Sequence, residues 1–178
     1  MSAIALVFSV VNKSVATEQS RVQEVPTKKR RSRWHGTRRG FFNPKYPEKY
    51  EGKLDKIIYR SKLELRIMKY LDDHPDVLKW SSEELAIPYV SPKDGKYHRY
   101  FVDFKATLRH KDGVIRTTLI EAKWSTATVQ PKVPKKRTKR YFSEVYNWAI
   151  NQAKWEAAQK LCKKKDWDWI ILTEKTAL

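Results

Sequence analysis

The stretch YFVDFKATLRHKDGVIRTTLIEAKW, residues 100–124, decides how the chain is read. Two apolar runs flank His110-Lys111-Asp112-Gly113-Val114, which is rich in turn formers, so the spacing predicts a β-hairpin. Successive side chains of a strand point to opposite faces. Tyr100, Val102, Phe104, Ala106 and Leu108 then share one face of the first strand, and Asp103 takes the other. On the second strand Thr118, Ile120, Ala122 and Trp124 fall together, with Glu121 and Lys123 opposite. With the turn centred on Asp112, Asp103 faces Glu121, and Cβ atoms so opposed lie roughly 4.5–5.5 Å apart.

Two carboxylates at about 5 Å repel by roughly 3 kcal/mol at an effective dielectric near 20. Left alone, one of them takes up a proton. A dication removes the repulsion, and oxygen donors without a Cys or His cluster suit Mg2+, with Mn2+ as the substitute. Lys123 lies two residues beyond Glu121, roughly 6–7 Å along the strand. An ammonium at that reach can orient a water and balance charge on a phosphorane-like transition state. The same three residues also fit a salt-bridged polar ladder on a solvated face, and the hairpin alone leaves both readings open. Glu-x-Lys spacing carries little by itself. It occurs twice, about as often as 11 Glu and 25 Lys produce by chance, and the other instance, Glu51-Gly52-Lys53, lies in a polar loop.

Upstream, Leu63, Ile67, Met68 and Leu71 recur at helical spacing, which predicts a helix over about 62–72 with Ser61 as its N-cap and His74-Pro75 as its end. Ser61-x-x-Glu64 is a capping-box pattern, so Glu64 either reaches back to its own helix end or is aimed at the two acids of the hairpin. Val77–Trp80 and Leu85–Val90 read as short strands, and Ser91–His98 as a turn region. Residues 125–140, with six cations and two prolines, read as a basic loop. A long helix over about 142–165 follows, with Val145, Trp148, Gln152, Trp155, Ala158 and Cys162 near one face. Asp166–Glu174 closes the chain with a strand. Helix, short strands, hairpin, helix and strand in this order imply an α/β fold, a mixed β-sheet flanked by helices.

The chain has 178 residues and a net charge of +18, which directs it to polyanions, nucleic acid before an anionic membrane surface. Seven cations between Lys28 and Arg39, Arg30 and Arg31 among them, follow no helical or strand period and read as a basic arm for phosphates. The apolar run Ala3–Val11 is too short to span a bilayer and lacks the preceding cations of a signal peptide. A single cysteine, Cys162, excludes an internal disulfide.

The stretches GFFNPKYPEKYEGK, IIYRSKLEL, KWSSEELAIPYVSPKDGKYHRYFVDF and WDWIILTE together resemble the head-completion nucleases of T-even-like tailed phages, within the PD-(D/E)xK nuclease superfamily, over roughly residues 40–178. The resemblance implies a restriction-endonuclease-like core with a basic N-terminal arm over 1–52 and a nuclease domain over 53–178. It makes Asp103 and Glu121 metal ligands, Lys123 catalytic, and Glu64 a third acid of the metal site. It also implies a polar residue from the long helix, with Asn151, Gln152 and Lys154 as candidates and Lys154 preferred. Val102 stands where the superfamily signature has Pro.

The expected activity is Mg2+-dependent endonucleolytic hydrolysis of DNA. Arg30, Arg31, Arg60, Lys135, Lys136, Arg137 and Lys154 would contact the DNA. The expected setting is the host cytoplasm during head completion, or the virion, with head, portal or neck proteins as partners, no membrane and no small-molecule cofactor. The alternatives are a non-catalytic DNA-binding plug of the phage head, for which the charge alone suffices, and a basic RNA-binding protein.

Overall fold

The structure is a computed structural model and describes residues 39–176. The basic cluster with Arg30 and Arg31, and the apolar run at 3–11, lie outside the described residues.

In chain order the elements are β1 (Gly40–Phe41), β2 (Ile58–Tyr59), α1 (Lys62–Asp73), β3 (Val77–Ser82), β4 (Ala86–Val90), β5 (Tyr97–Phe101), β6 (Phe104–Arg109), β7 (Ile115–Ala122), α2 (Lys139–Lys165) and β8 (Asp168–Leu172). A four-stranded sheet runs in the order β3-β6-β7-β8. Its first two pairings are antiparallel, and β7 and β8 are parallel, joined through α2 as a crossover.

Each helix covers one face of that sheet. Leu63, Ile67, Met68 and Leu71 of α1 pack with Trp80, Phe104, Ala106, Ile120, Ile170 and Leu172. On the other face Ala158 and Cys162 of α2 pack with Leu119, Val102, Tyr100 and Ile87. Leu119 and Ile120 are adjacent and apolar because they point into the two cores: both faces of β7 are covered here.

The hairpin register is the one expected, with Phe104 paired to Ile120 and Arg109 to Ile115. The long first strand is not continuous. The chain bends at Val102-Asp103, where Val102 N–H donates to Leu85 O at 3.1 Å and Glu83 N–H donates to Asp103 O at 3.2 Å. Upstream of the bend, β5 pairs with β4 rather than extending β6. Tyr100 and Val102 therefore do not share the face of Phe104, Ala106 and Leu108, as strict alternation implied. They join the core under α2 instead.

Residues 40–52, read from the sequence as part of the arm, are built into the domain. Phe42 and Tyr50 are buried and meet the Trp80 ring edge-on, with centroids at 5.8 and 4.8 Å. Buried Asp72 accepts from Lys45 N–H at 2.6 Å and Tyr46 N–H at 3.3 Å, fastening this segment to the end of α1. The basic loop is also shorter than expected. Ser125–Ala127 forms a 3-10 turn, and α2 starts at Lys139, where the Thr138 hydroxyl caps it by accepting from Tyr141 N–H at 3.2 Å.

Candidate active site

Asp103 and Glu121 meet at one end of the sheet because the β6-β7 register brings them there. The ladder stops at Phe104, and the Asp103 side chain takes over from the backbone: its Oδ2 accepts from Ala122 N–H at 2.8 Å. Glu121 is 1% exposed. Its Oε1 pairs with Lys123 Nζ at 2.8 Å, and its Oε2 accepts a short hydrogen bond from the Tyr100 hydroxyl. Burial first, and the Glu121 charge second, push the Asp103 carboxyl up to about 8, against the pull of Lys123 and the Ala122 N–H. Burial works against the Lys123 ammonium, but Glu121, Asp103 and Glu64 together outweigh it and hold Lys123 above its ordinary value. The buried Tyr100 hydroxyl is also held well above its ordinary value, by burial and then by Glu121. It therefore stays a proton donor to that carboxylate.

Lys154 reaches this site from α2. Its Nζ lies 5.6 Å from the centre of the Tyr100 ring and 5.8 Å from that of Tyr89. Burial, and then the nearby Lys123 charge, lower its pKa, while Glu121 and Asp103 partly restore it. Lys123 and Lys154 thus flank the two acids.

Glu64 is engaged at its own helix end. Ser61 Oγ accepts from Glu64 N–H at 3.1 Å and donates to Glu64 Oε1 at 2.9 Å, and Arg60 N–H donates to Glu64 Oε2 at 2.6 Å. That is a capping-box arrangement whose backbone donor is Arg60, the residue before the cap, and Glu64 acts on Asp103 and Lys123 through its charge. Ser61→Ala is expected to cost about 1 kcal/mol, read as a lower denaturation midpoint in urea, since it removes the cap of the helix that packs Leu63, Ile67, Met68 and Leu71 into the core. Arg60 is ion-paired to Glu83. Lys135, Lys136 and Arg137 are exposed in the loop before α2.

Among the described residues, no three His, Cys, Asp or Glu side chains stand together in a metal-holding arrangement. The pair that is together still fits a hard dication. It offers carboxylate oxygens only, and after burial it is the Glu121 charge that holds the Asp103 carboxyl up, a repulsion that a dication between the two would relieve. Mg2+ characteristically takes one or two carboxylates and fills its remaining positions with water and phosphate oxygens.

Tyr100, whose hydroxyl meets Glu121, is the residue of this cluster that sequence periodicity misses. The available signal is chemical rather than periodic, because a buried tyrosine hydroxyl needs a partner.

Residues 74–174 match the family described as "TnsA-like endonuclease N terminal". The chain belongs to this endonuclease family. The matched span holds Asp103, Glu121, Lys123 and Lys154, and it starts after Glu64 and α1. The chain is also 38% identical, over 139 residues, to the head completion nuclease of Enterobacteria phage T4, a match that covers 76% of this chain and 90% of that protein. The chain has a restriction-endonuclease-like core, a mixed sheet with a helix on either face. No helix among the described residues is long and apolar enough to cross a membrane.

Proposed function

We propose that the chain is a divalent-metal-dependent DNA endonuclease that acts in phage head completion, before the tail is joined. The observation that carries the chemistry is the Asp103–Glu121–Lys123 cluster: a buried Glu121, a half-buried Asp103 held up to about 8, and an ammonium 2.8 Å from Glu121. A chain with no reaction to perform has little reason to gather such a group at a sheet end, because buried like charges destabilise it. The family and the T4 relative support hydrolysis of phosphodiester bonds and the phage setting. The net charge of +18 supports DNA as the substrate.

Asp103 and Glu121 would hold Mg2+ or Mn2+, and Glu64 would join them as the third acid by releasing the Ser61 and Arg60 bonds of its helix end. The bound dication supplies Lewis-acid polarisation of a phosphoryl oxygen and lowers the pKa of a bound water. The other work falls to the chain. Ala122 N–H and the Tyr100 hydroxyl fix the orientation of the two carboxylates. Lys123, held protonated beside Glu121, is a proton donor and a charge stabiliser where negative charge develops on the phosphate. Lys154, Lys135, Lys136 and Arg137 hold flanking phosphates, with Arg60 available wherever phosphate displaces Glu83. Arg30 and Arg31 extend this contact along the DNA, and neck or portal proteins present the DNA to the site.

Incubating the purified chain with closed circular plasmid tests this reading. Nicked or linear product is expected with Mg2+ or Mn2+, and none in a chelator. Undiminished cutting in the chelator refutes the metal assignment. Retention of the plasmid without cutting under every metal condition leaves the DNA-binding plug.

A further inference from the structure

A cleft of about 450 Å³ lies between residues 126–131 and the first half of α2, with Thr126, Val129, Asn147, Trp148 and Asn151 in its walls. The site described above does not use it. Both walls lead to that site. One begins at Thr126, three residues past Lys123. The other carries Asn147 and Asn151, which lie on the same helical stripe as Lys154. At about 1.5 Å of rise per residue, these two asparagines precede Lys154 by roughly 10 and 5 Å along the helix axis. That is a reach of roughly one to three nucleotides, taking about 3.4 Å for each.

The lining suits a base better than a phosphate. The only charged residues in the walls are Arg140 and Glu144, and they pair with each other at 2.8 Å. In a chain of net charge +18, this cleft is locally neutral. What it offers instead is the Trp148 indole, apolar contacts from Val129 and Pro131, and two amides, each both donor and acceptor. An aromatic wall with amides is the means by which proteins hold an extruded base, through stacking and through hydrogen bonds to its edge. A base still paired and stacked in a duplex cannot enter.

We propose that the cleft takes an unpaired base of the substrate strand, one to three nucleotides from the phosphate that Lys154 holds beside the site, so that the protein prefers DNA with unpaired nucleotides near the cut. This rests on the endonuclease reading for the identity of the strand, and its test is separable from that reading.

The full chain is titrated in chelator, by fluorescence anisotropy, against a labelled duplex and against the same duplex with three central nucleotides unpaired. The unpaired DNA is expected to bind about tenfold more tightly. In the double variant Asn147→Ala, Asn151→Ala that ratio is expected to fall below about twofold. Neither side chain is in the core, so the fold tolerates the change. Equal binding of the two DNAs by the unaltered chain, or a ratio that survives in the variant, overturns the base cleft. Adding Mg2+ separates the two ideas. Equal binding with cutting of both DNAs removes the cleft and keeps the endonuclease. A tenfold preference with no cutting of either keeps the cleft and removes the endonuclease.

Discussion

Replacing Lys123 with Ala is expected to lower the rate of plasmid cleavage by about 10²–10³-fold, the usual cost of removing one preorganised group that stabilises developing charge. DNA affinity should hardly change. Lys123 is one of 38 Lys and Arg residues, so at most one phosphate contact is lost, and the dependence of binding on salt should change by about one contact. A second effect follows from the geometry. Glu121 is buried, and without Lys123 its Oε1 loses its partner while the Tyr100 hydroxyl remains on Oε2. Stripping one member from a fully buried pair costs 3–5 kcal/mol. The Lys123 side chain is 29% exposed, so about 2 kcal/mol is the expected loss here. A urea melt of the variant reads this directly and shows whether the folded state persists under the cleavage conditions. Cleavage at the original rate by a folded Lys123→Ala protein would remove lysine from the mechanism.

Much of this site is legible in the residues because its logic is local. The β6-β7 register follows from a turn at Asp112-Gly113, and the register alone brings Asp103 to the end of the ladder beside Glu121. The α1 stripe and its Ser61 cap are likewise short-range patterns. What the sequence conceals is tertiary. Tyr-Phe-Val-Asp-Phe contains no Gly or Pro to announce a bend, and an alternating pattern presumes an unbroken strand. The bend at Asp103 exists because Glu83 and Leu85, far upstream in the chain, take the backbone hydrogen bonds that continuous pairing would have used. That diversion turns the Tyr100 hydroxyl toward Glu121. The start of α2 is hidden for a different reason. Lys135 to Arg140 look like a solvated run, and only the hydroxyl of Thr138 marks where the helix begins. Glu64 fits two roles in sequence, and its present hydrogen bonds are those of the cap.

Without metal, the protein is expected to lose stability as pH rises from about 5 to 8, and Asp103→Asn is expected to abolish most of that dependence. The sign follows from linkage. In the unfolded chain an aspartate titrates near 3.9, whereas in the folded protein Asp103 is held up to about 8. Between those values the folded state retains a proton that the unfolded state has released, so stability falls with rising pH. The contribution is fully present below the unfolded value and is gone once pH passes the folded one. The limiting slope is about 1.4 kcal/mol per pH unit. The observed slope should be a fraction of this, because Asp103 is only partly enclosed and its neighbours screen it. The amide of Asn cannot ionise, so the variant should be the more stable protein at pH 8, by at least about 1 kcal/mol, while losing cleavage. Mg2+ should act in the opposite sense on the two proteins. It should restore the stability of the unaltered chain at pH 8 by binding the ionised pair, and should shift the variant's melting temperature little. Thermal melts at pH 5, 6, 7 and 8, with chelator and with Mg2+, measure all of this without an activity assay. A melting temperature independent of pH in chelator would mean that Asp103 ionises freely, and that the two acids do not confront each other as the fold places them.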